Sequence, residues 1–372
     1  MESPLAAMLD PWLMRNETID WASPRTRGLA SIRDLRYVGP RPELHEATMI
    51  HWDPVMHVFR YNDNEMCPTV EEFQAYLQGF ANSNVLAIPP IQENMSHLLR
   101  MKLNISEELA ASIIHDGELD VPRLIELYGP NEILENHVEQ THLRFAFSIC
   151  ALAAYMLVPA NGKVCPSIVR IASQMGVRKN IIPIVLAETL MGLDLFKSRE
   201  SNVFSGSPRL LQVWLFDKVG LLEAPQANWD HFPRRMLKRS MLYPEQDMLG
   251  WYVILHDIQS NDYVWICPWL NMPEMAINST GFERVLFASL ASFTFYIPGR
   301  ILRQLGITQG LQRAGIEDFQ LPDFNSPTLR DYQRYWRNGV LEGPSPDFVD
   351  WLDSRYVAWL RVEIKARPGG YY

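Results

Sequence analysis

Lysine is scarce in this chain: seven residues, at 102, 163, 179, 197, 218, 238 and 365, stand against 27 arginines in 372 positions. None of the seven lies in a Ser/Thr-rich turn at a strand end, where a Schiff-base lysine would sit, and no alternating β/α pattern surrounds them. Pyridoxal-phosphate chemistry is therefore not expected. Cysteine is sparse too. Cys67, Cys150, Cys165 and Cys267 are far apart and form no CxxC pair, which argues against a disulfide scaffold or structural zinc and for a reducing compartment. No apolar run reaches the ~20 residues of a bilayer span. The longest runs, Phe145–Pro159 and Val285–Pro298, read as buried core helices. The first residues, MESPLAAMLDPWLMRNE, lack a basic start followed by a clean apolar stretch, so no secretory signal is expected and the chain reads as soluble and intracellular. Positive charge is not in excess: the formal net charge is −9, which excludes a protein that coats nucleic acid with its whole surface.

What is present is a globular composition, 47% hydrophobic and 11% aromatic, enough to bury a large core in one domain or two closely packed ones. The arginine bias favours planar, bidentate pairing with carboxylates, so internal ion pairs are expected. Residues 1–44 show no sustained period and read as a partly irregular extension; 45–343 form the main helical domain, and 344–372 a C-terminal helix and tail. Thr48–Trp52 and His57–Tyr61 flank Asp53-Pro54 as two short strands. Thr69-Val70-Glu71-Glu72 is a capping box that opens a helix with Phe73, Tyr76, Leu77 and Phe80 on one face. Ser106 opens a helix to His115, and Val121–Tyr128 is another. Helical patterns continue over Asn131–Leu157, Ser167–Met175, Asn180–Leu195, Pro208–Leu222, Phe232–Leu242, Glu245–Gln259, Gly281–Leu305, Thr328–Val340 and Phe348–Lys365. Tyr263–Trp269 reads as a short strand interrupted by Pro268. The fold class is mainly α, with a small β-hairpin or short-strand element on the N-terminal side. Trp52, Phe59, Phe73, Leu77, Phe147, Leu152, Leu211, Trp214, Phe287 and Phe293 are the expected core.

Six blocks, in order, resemble the plant mobile domain, also called the aminotransferase-like plant mobile domain, in its retrotransposon-associated branch. They are WDPVMHVFRYNDNEMCPTVEEFQAYLQGF from Trp52, RFAFSICALAAYMLVPANGKV from Arg144, GSPRLLQVWLFDKVG from Gly206, VWICPWL from Val264, YIPGRILRQLGITQGL from Tyr296 and YQRYWRNG from Tyr332. Trp269 stands where that family has Tyr, and Leu305 where it usually has Phe. The resemblance implies a non-catalytic, transposon-derived module that acts in the nucleus, or also the cytoplasm. It implies links to transposon silencing, genome integrity and meristem maintenance, and a phosphatase-like protein partner. It brings no catalytic residues and no cofactor.

The residues themselves complete no catalytic set. Asp116-Gly117 is not an aspartic-protease motif, no Asp-Asp pair suits a polymerase, and a zinc knuckle and metallophosphatase signatures are missing. His137 and His142 are five apart on a helix and do not share a face, so no metal site is expected. The remaining lead is basic. Arg330, Arg334 and Arg337 fall at i, i+4 and i+7, with Tyr332, Tyr335 and Trp336 beside them; Arg300 and Arg303 follow a break at Pro298; Arg234, Arg235, Lys238 and Arg239 form a third cluster. Two readings stand. These arginines and Trp336 line a partner or nucleic-acid groove, or they pair with Asp331, Asp318, Glu283 or Glu342 while the aromatics pack the core; the net acidity favours the second. A nucleic-acid binder encoded by a retrotransposon is the alternative function, and a diverged enzyme the third.

Overall fold

A computed structural model describes residues 4–15, 27–77, 85–129, 137–201, 203–225, 239–259, 262–267, 270, 284–306, 309, 320–337 and 354–366. The chain opens with helices α1 (Pro4–Arg15), α2 (Arg27–Asp34) and α3 (Pro42–Met49). Within the extension expected to be partly irregular, the described residues are therefore mostly helical. Its hydrophobic residues explain why: Leu9, Trp12, Ile32, Leu35 and Leu44 are all buried in the main core, and Asp10 accepts a 2.6 Å hydrogen bond from the Tyr155 hydroxyl. These helices are part of the body.

A three-stranded antiparallel sheet follows, β1 (Trp52–Asp53), β2 (Val58–Tyr61) and β3 (Asn64–Met66). The expected first strand is shorter than its sequence pattern, because Thr48 and Met49 complete the last turn of α3. Asn62 and Asp63 make the turn into β3. Thr69 then caps α4 (Val70–Tyr76) through the expected reciprocal box with Glu72. Helices α5 (Met95–Leu103) and α6 (Glu107–Ile113), a two-stranded ribbon of β4 (Ile114–His115) and β5 (Glu118–Leu119), and α7 (Val121–Tyr128) come next. Asn94, Ser106 and Asp120 cap α5, α6 and α7 by accepting the amide three residues on.

The apolar tract FAFSICALAAYML lies at the centre. It forms the end of α8 (His137–Ala151) and a π turn, Leu152–Met156, closed by a 2.8 Å bond from the Leu157 amide to the Leu152 carbonyl. Phe147 and Leu152, like the other eight expected core residues, are buried. Helices α9 (Ser167–Gly176), α10 (Ile182–Lys197), α11 (Pro208–Lys218) and α12 (Met248–Asp257) complete this half.

The third sheet is a correction. The tract Gly281–Leu305, expected to be helical, holds an antiparallel hairpin of β6 (Val285–Ala288) and β7 (Phe293–Tyr296), with Val285 opposite Tyr296 and Ala288 opposite Phe293. Two short 3-10 turns follow, Pro298–Arg300 and Leu302–Leu305. A strand covered on both faces has no polar alternation, so its apolar run cannot be told from a core helix by period alone; here aromatic and β-branched residues on both sides of Ser289–Ser292 make the strands. Residues 263–267, expected as a strand, are irregular, and Pro268 and Trp269 lie outside the described residues. Of the expected helix Phe232–Leu242, residues 232–238 also lie outside them; the rest is extended, with Met241 bridging Leu222. Helices α13 (Ser326–Arg337) and α14 (Ser354–Ala366) end the described chain. Among the described residues no helix is long and apolar enough to cross a membrane.

α10 is held against the start of α11 by a close backbone crossing. Gly206 has φ +83°, and a Cβ there would lie 2.5 Å from the backbone of Thr189. The Thr189 hydroxyl in turn accepts the Ser207 amide at 3.0 Å. Gly206→Ala combines a left-handed backbone with a collision against backbone atoms, and is expected to destabilise the chain by about 3 kcal/mol. Urea unfolding of the full chain measures it; a loss within error would mean that the crossing can open.

Candidate functional site

Three of the arginines that the sequence singled out, Arg239, Arg300 and Arg303, turn inward and join residues from distant parts of the chain in one buried ionic network. Its floor is the β2–β3 pair. The register places Arg60 opposite Glu65, and the guanidinium Nε donates to Glu65 Oε1 at 2.9 Å while its other side meets Asp53 at 2.6 Å. Arg300, 235 positions away, grips the same carboxylate in bidentate fashion, Nε to Oε2 at 2.9 Å and a terminal nitrogen to Oε1 at 2.5 Å. The Tyr356 hydroxyl of α14 completes the set, donating to Oε2 at 2.6 Å. Burial, reinforced by the adjoining Glu65 charge, pushes that hydroxyl well above its ordinary range and keeps it a donor. Trp359, one turn further along α14, lies against the Arg300 guanidinium.

Arg303 sits beside this set. It donates to Asn64 Oδ1 at 2.7 Å and lies over the Trp265 ring, 3.7 Å from its centroid. Gln304 pairs with the backbone of Cys67, donating to its carbonyl at 2.9 Å and accepting its amide at 2.8 Å. The same turn thus welds residues 300–304 to the strand–helix junction at 64–72.

A second carboxylate, Glu72, does two tasks. As the capping residue of α4 it accepts the Thr69 amide, and its Oε2 also accepts the Trp214 indole N–H at 2.8 Å. Lys218 Nζ stands 2.5 Å from Oε1 and donates to the Trp265 carbonyl. Burial alone would depress this lysine, but the charge and hydrogen bond of Glu72, with Cys267 and Asp217 nearby, together outweigh it and the pKa is raised. A lysine held charged in this way is unsuited to a Schiff base. Asp217 forms the third centre, with Arg239 at 2.5 Å and the Tyr76 hydroxyl at 2.5 Å. Burial pushes the Cys67 thiol well up and the Cys267 thiol to about 12, so neither offers a thiolate. Glu65, Glu72 and Asp217 are each matched by a buried base, and the arrangement locks distant segments of the chain together.

The sequence-predicted residues therefore divide. Arg300 and Arg303 are buried, at 2% and 5% exposure, and are committed to Glu65, Asn64 and Trp265; a surface ligand does not reach them. This corrects the reading in which they join the α13 arginines in one groove: Arg60 and Arg300 together offset the buried charges of Glu65 and Asp53, and Arg303 is held by Asn64 and the Trp265 ring. Arg330 and Arg334 are exposed on α13, with Arg334 paired to Asp331 as expected, at 3.1 Å. Arg337 ends that helix, and its side chain lies outside the described residues. Trp336, expected to stack against a ligand, faces inward: its indole N–H donates to the Leu286 carbonyl at 3.2 Å and its ring packs on Phe287. Leu329 and Tyr332 are buried beside it against Phe293. Of the third cluster, Arg234, Arg235 and Lys238 lie outside the described residues, and Arg239 is the buried partner of Asp217. Glu65, Asp217 and Lys218 escaped sequence reasoning because Arg300, Arg239 and Glu72 are far from them in the chain and the nearby Arg60 meets Glu65 only through the hairpin register; the signal that remained was an arginine excess in search of carboxylates.

Among the described residues no group of three or more His, Cys, Asp or Glu side chains is placed to hold a metal ion. The Nδ1–H of His51 donates to the Arg60 carbonyl, 3.0 Å away, and burial lowers its pKa to about 4.

A family model described as a domain of unknown function, DUF7745, matches residues 32–338. That span takes in all three carboxylate centres and α13, and leaves α1 and α14 outside it. No curated protein and no solved structure matches the chain.

Arg300→Met keeps much of the side-chain volume but strands Glu65 with one guanidinium. It is expected to destabilise the fold by about 3–5 kcal/mol, as removal of one partner from a buried ion pair does. Arg330→Met, on the exposed face of α13, is expected to leave the unfolding midpoint in urea where it was; equal losses for the two would contradict the division between inner and outer arginines.

Proposed function

The chain belongs to the DUF7745 family, and on that premise we propose that it is a non-catalytic interaction module of the transposon-derived kind that the plant mobile domain exemplifies. It works in the nucleus by presenting the outer face of α13 to an acidic surface of a protein partner. The observation that carries this reading is the two-sidedness of α13. Leu329, Tyr332 and Trp336 anchor it to the β6–β7 hairpin, while Arg330 and Arg334 stand in solvent on the opposite side. A helix so anchored offers its cations with no backbone to order on binding. The non-catalytic reading is supported by where the chemically capable side chains are spent: Lys218 pairs with Glu72, Glu65 with Arg60 and Arg300, and Asp217 with Arg239.

The nucleic-acid alternative is favoured by the same two arginines and weakened by the inward course of Arg300 and Arg303 and by the net charge of −9. Links to transposon silencing, genome integrity and meristem maintenance, and a phosphatase-like identity for the partner, come with the family resemblance and are part of the proposal.

The double variant Arg330→Glu with Arg334→Glu separates the readings. Affinity purification of the full chain from plant nuclei at mild salt is expected to recover a stoichiometric protein partner with the wild type and to lose it with the variant. Retention of the same partner by both would overturn the α13 assignment. A gel shift with mixed-sequence DNA and RNA that weakens with salt and disappears in the variant would transfer the assignment to nucleic acid.

A further inference from the structure

His57 occupies the turn between β1 and β2 with φ 51°, a left-handed conformation uncommon for a residue with a Cβ. Its ring lies parallel to Trp52, 9° between planes and 5.8 Å between centroids. Nδ1 is 2.5 Å from the carbonyl oxygen of Phe295 on β7, and Nε2 is 3.0 Å from Oδ2 of Asp194 on α10. Both neighbours accept. A carbonyl oxygen has no proton to give, and the other oxygen of Asp194 accepts the Trp52 indole N–H at 2.8 Å. A neutral imidazole carries one N–H, so one of its two contacts would set lone pair against lone pair; only the imidazolium donates at both.

We propose that His57 is a buried imidazolium latch: doubly protonated, it ties the β6–β7 hairpin to α10, and loss of one ring proton as pH rises releases strand β7 together with the α13 helix seated on the hairpin.

The charges around the ring agree with this. From α10 comes Asp194, and one turn on, Lys197, whose ammonium is tied to the Met49 and Ile50 carbonyls. From β1 comes Asp53, paired with Arg60. From β7 comes the Phe295 ring, 4.7 Å from the imidazole, with the Arg284 guanidinium over it. Burial alone would lower the pKa of His57, but the bond to Asp194 and its charge, the Phe295 carbonyl and Asp53 outweigh it, and the value is raised above the ordinary imidazole range. A folded-state pKa above the unfolded one gives a stabilisation fully present below the ordinary value and lost as pH rises through the raised one. The hairpin has a second tie to α10, the Leu290 amide donating to Glu188 Oε1 at 2.7 Å, so its turn stays held while β7 loosens. The latch does not depend on what α13 binds.

The test uses the full chain labelled with nitrogen-15 in histidine. A long-range proton–nitrogen spectrum at pH 7 is expected to show protons on both ring nitrogens of His57. Amide exchange of residues 285–296, measured relative to α10 so that base catalysis cancels, is expected to speed up about tenfold across the titration of that ring. In His57→Gln the relative exchange is already fast and has no pH step. Asp194→Asn, which keeps an acceptor but removes the charge, moves the step to lower pH. A bare ring nitrogen at pH 7, or an unchanged step in His57→Gln, would overturn the latch; if that variant does not fold, the wild-type spectrum and Asp194→Asn still decide.

Discussion

One carboxylate sets the terms for this fold. Glu65 is fully buried and is shared by Arg60 from the neighbouring strand, Arg300 from the 3-10 turn and Tyr356 from the last helix. An ion of this size taken out of water is tolerable only where its oxygens are saturated with donors and its charge is matched. Strand β3, residues 298–305 and α14 must therefore arrive at one point in a narrow range of geometries. Glu72 and Asp217 repeat the device, drawing α4, α11 and residues 239 and 265 together. Apolar burial drives the collapse of a chain this hydrophobic, while the matched pairs penalise other ways of stacking so many short helices. The specificity of the fold rests on charge placed where water is absent.

Much of the helical framework was legible because its determinants are local. Thr69 and Glu72 form the capping box that their spacing announces, Ser106 caps its helix, and the ten expected core residues are buried. The β6–β7 hairpin was not legible. Phe287, Phe293 and Tyr296 are packed on by α10 on one side and by α13 on the other, which erases the period-two signature of a half-exposed strand. The N-terminal helices were missed for a different reason: their prolines and arginines hide the spacing of Leu9, Trp12, Ile32 and Leu35, which becomes meaningful only against the central helix.

The arginines show the limit of spacing as evidence. Arg334 pairs with Asp331 three positions away, as the sequence suggests. Arg300 and Arg303 look like the same kind of exposed basic pair, yet each finds its partner on the first sheet, across more than 230 positions. The arginine excess foretold internal ion pairs; which arginines would turn inward depended on a tertiary contact that no local pattern encodes. What distinguishes the two groups is the turn each belongs to: a 3-10 segment buried on every side, against a helix with one bare face.

The family match ends at residue 338, yet Tyr356 and Trp359 lie beyond it and close over Glu65 and Arg300. On the other flank Asp10 and Trp12 precede it and reach the central helix. The unit recognisable by descent and the unit that folds thus have different borders. A recombinant fragment trimmed to the shared region would open the ionic centre to water at one end and uncover the Phe147 ring at the other, so its failure to behave would speak of missing flanks rather than of an unstable family.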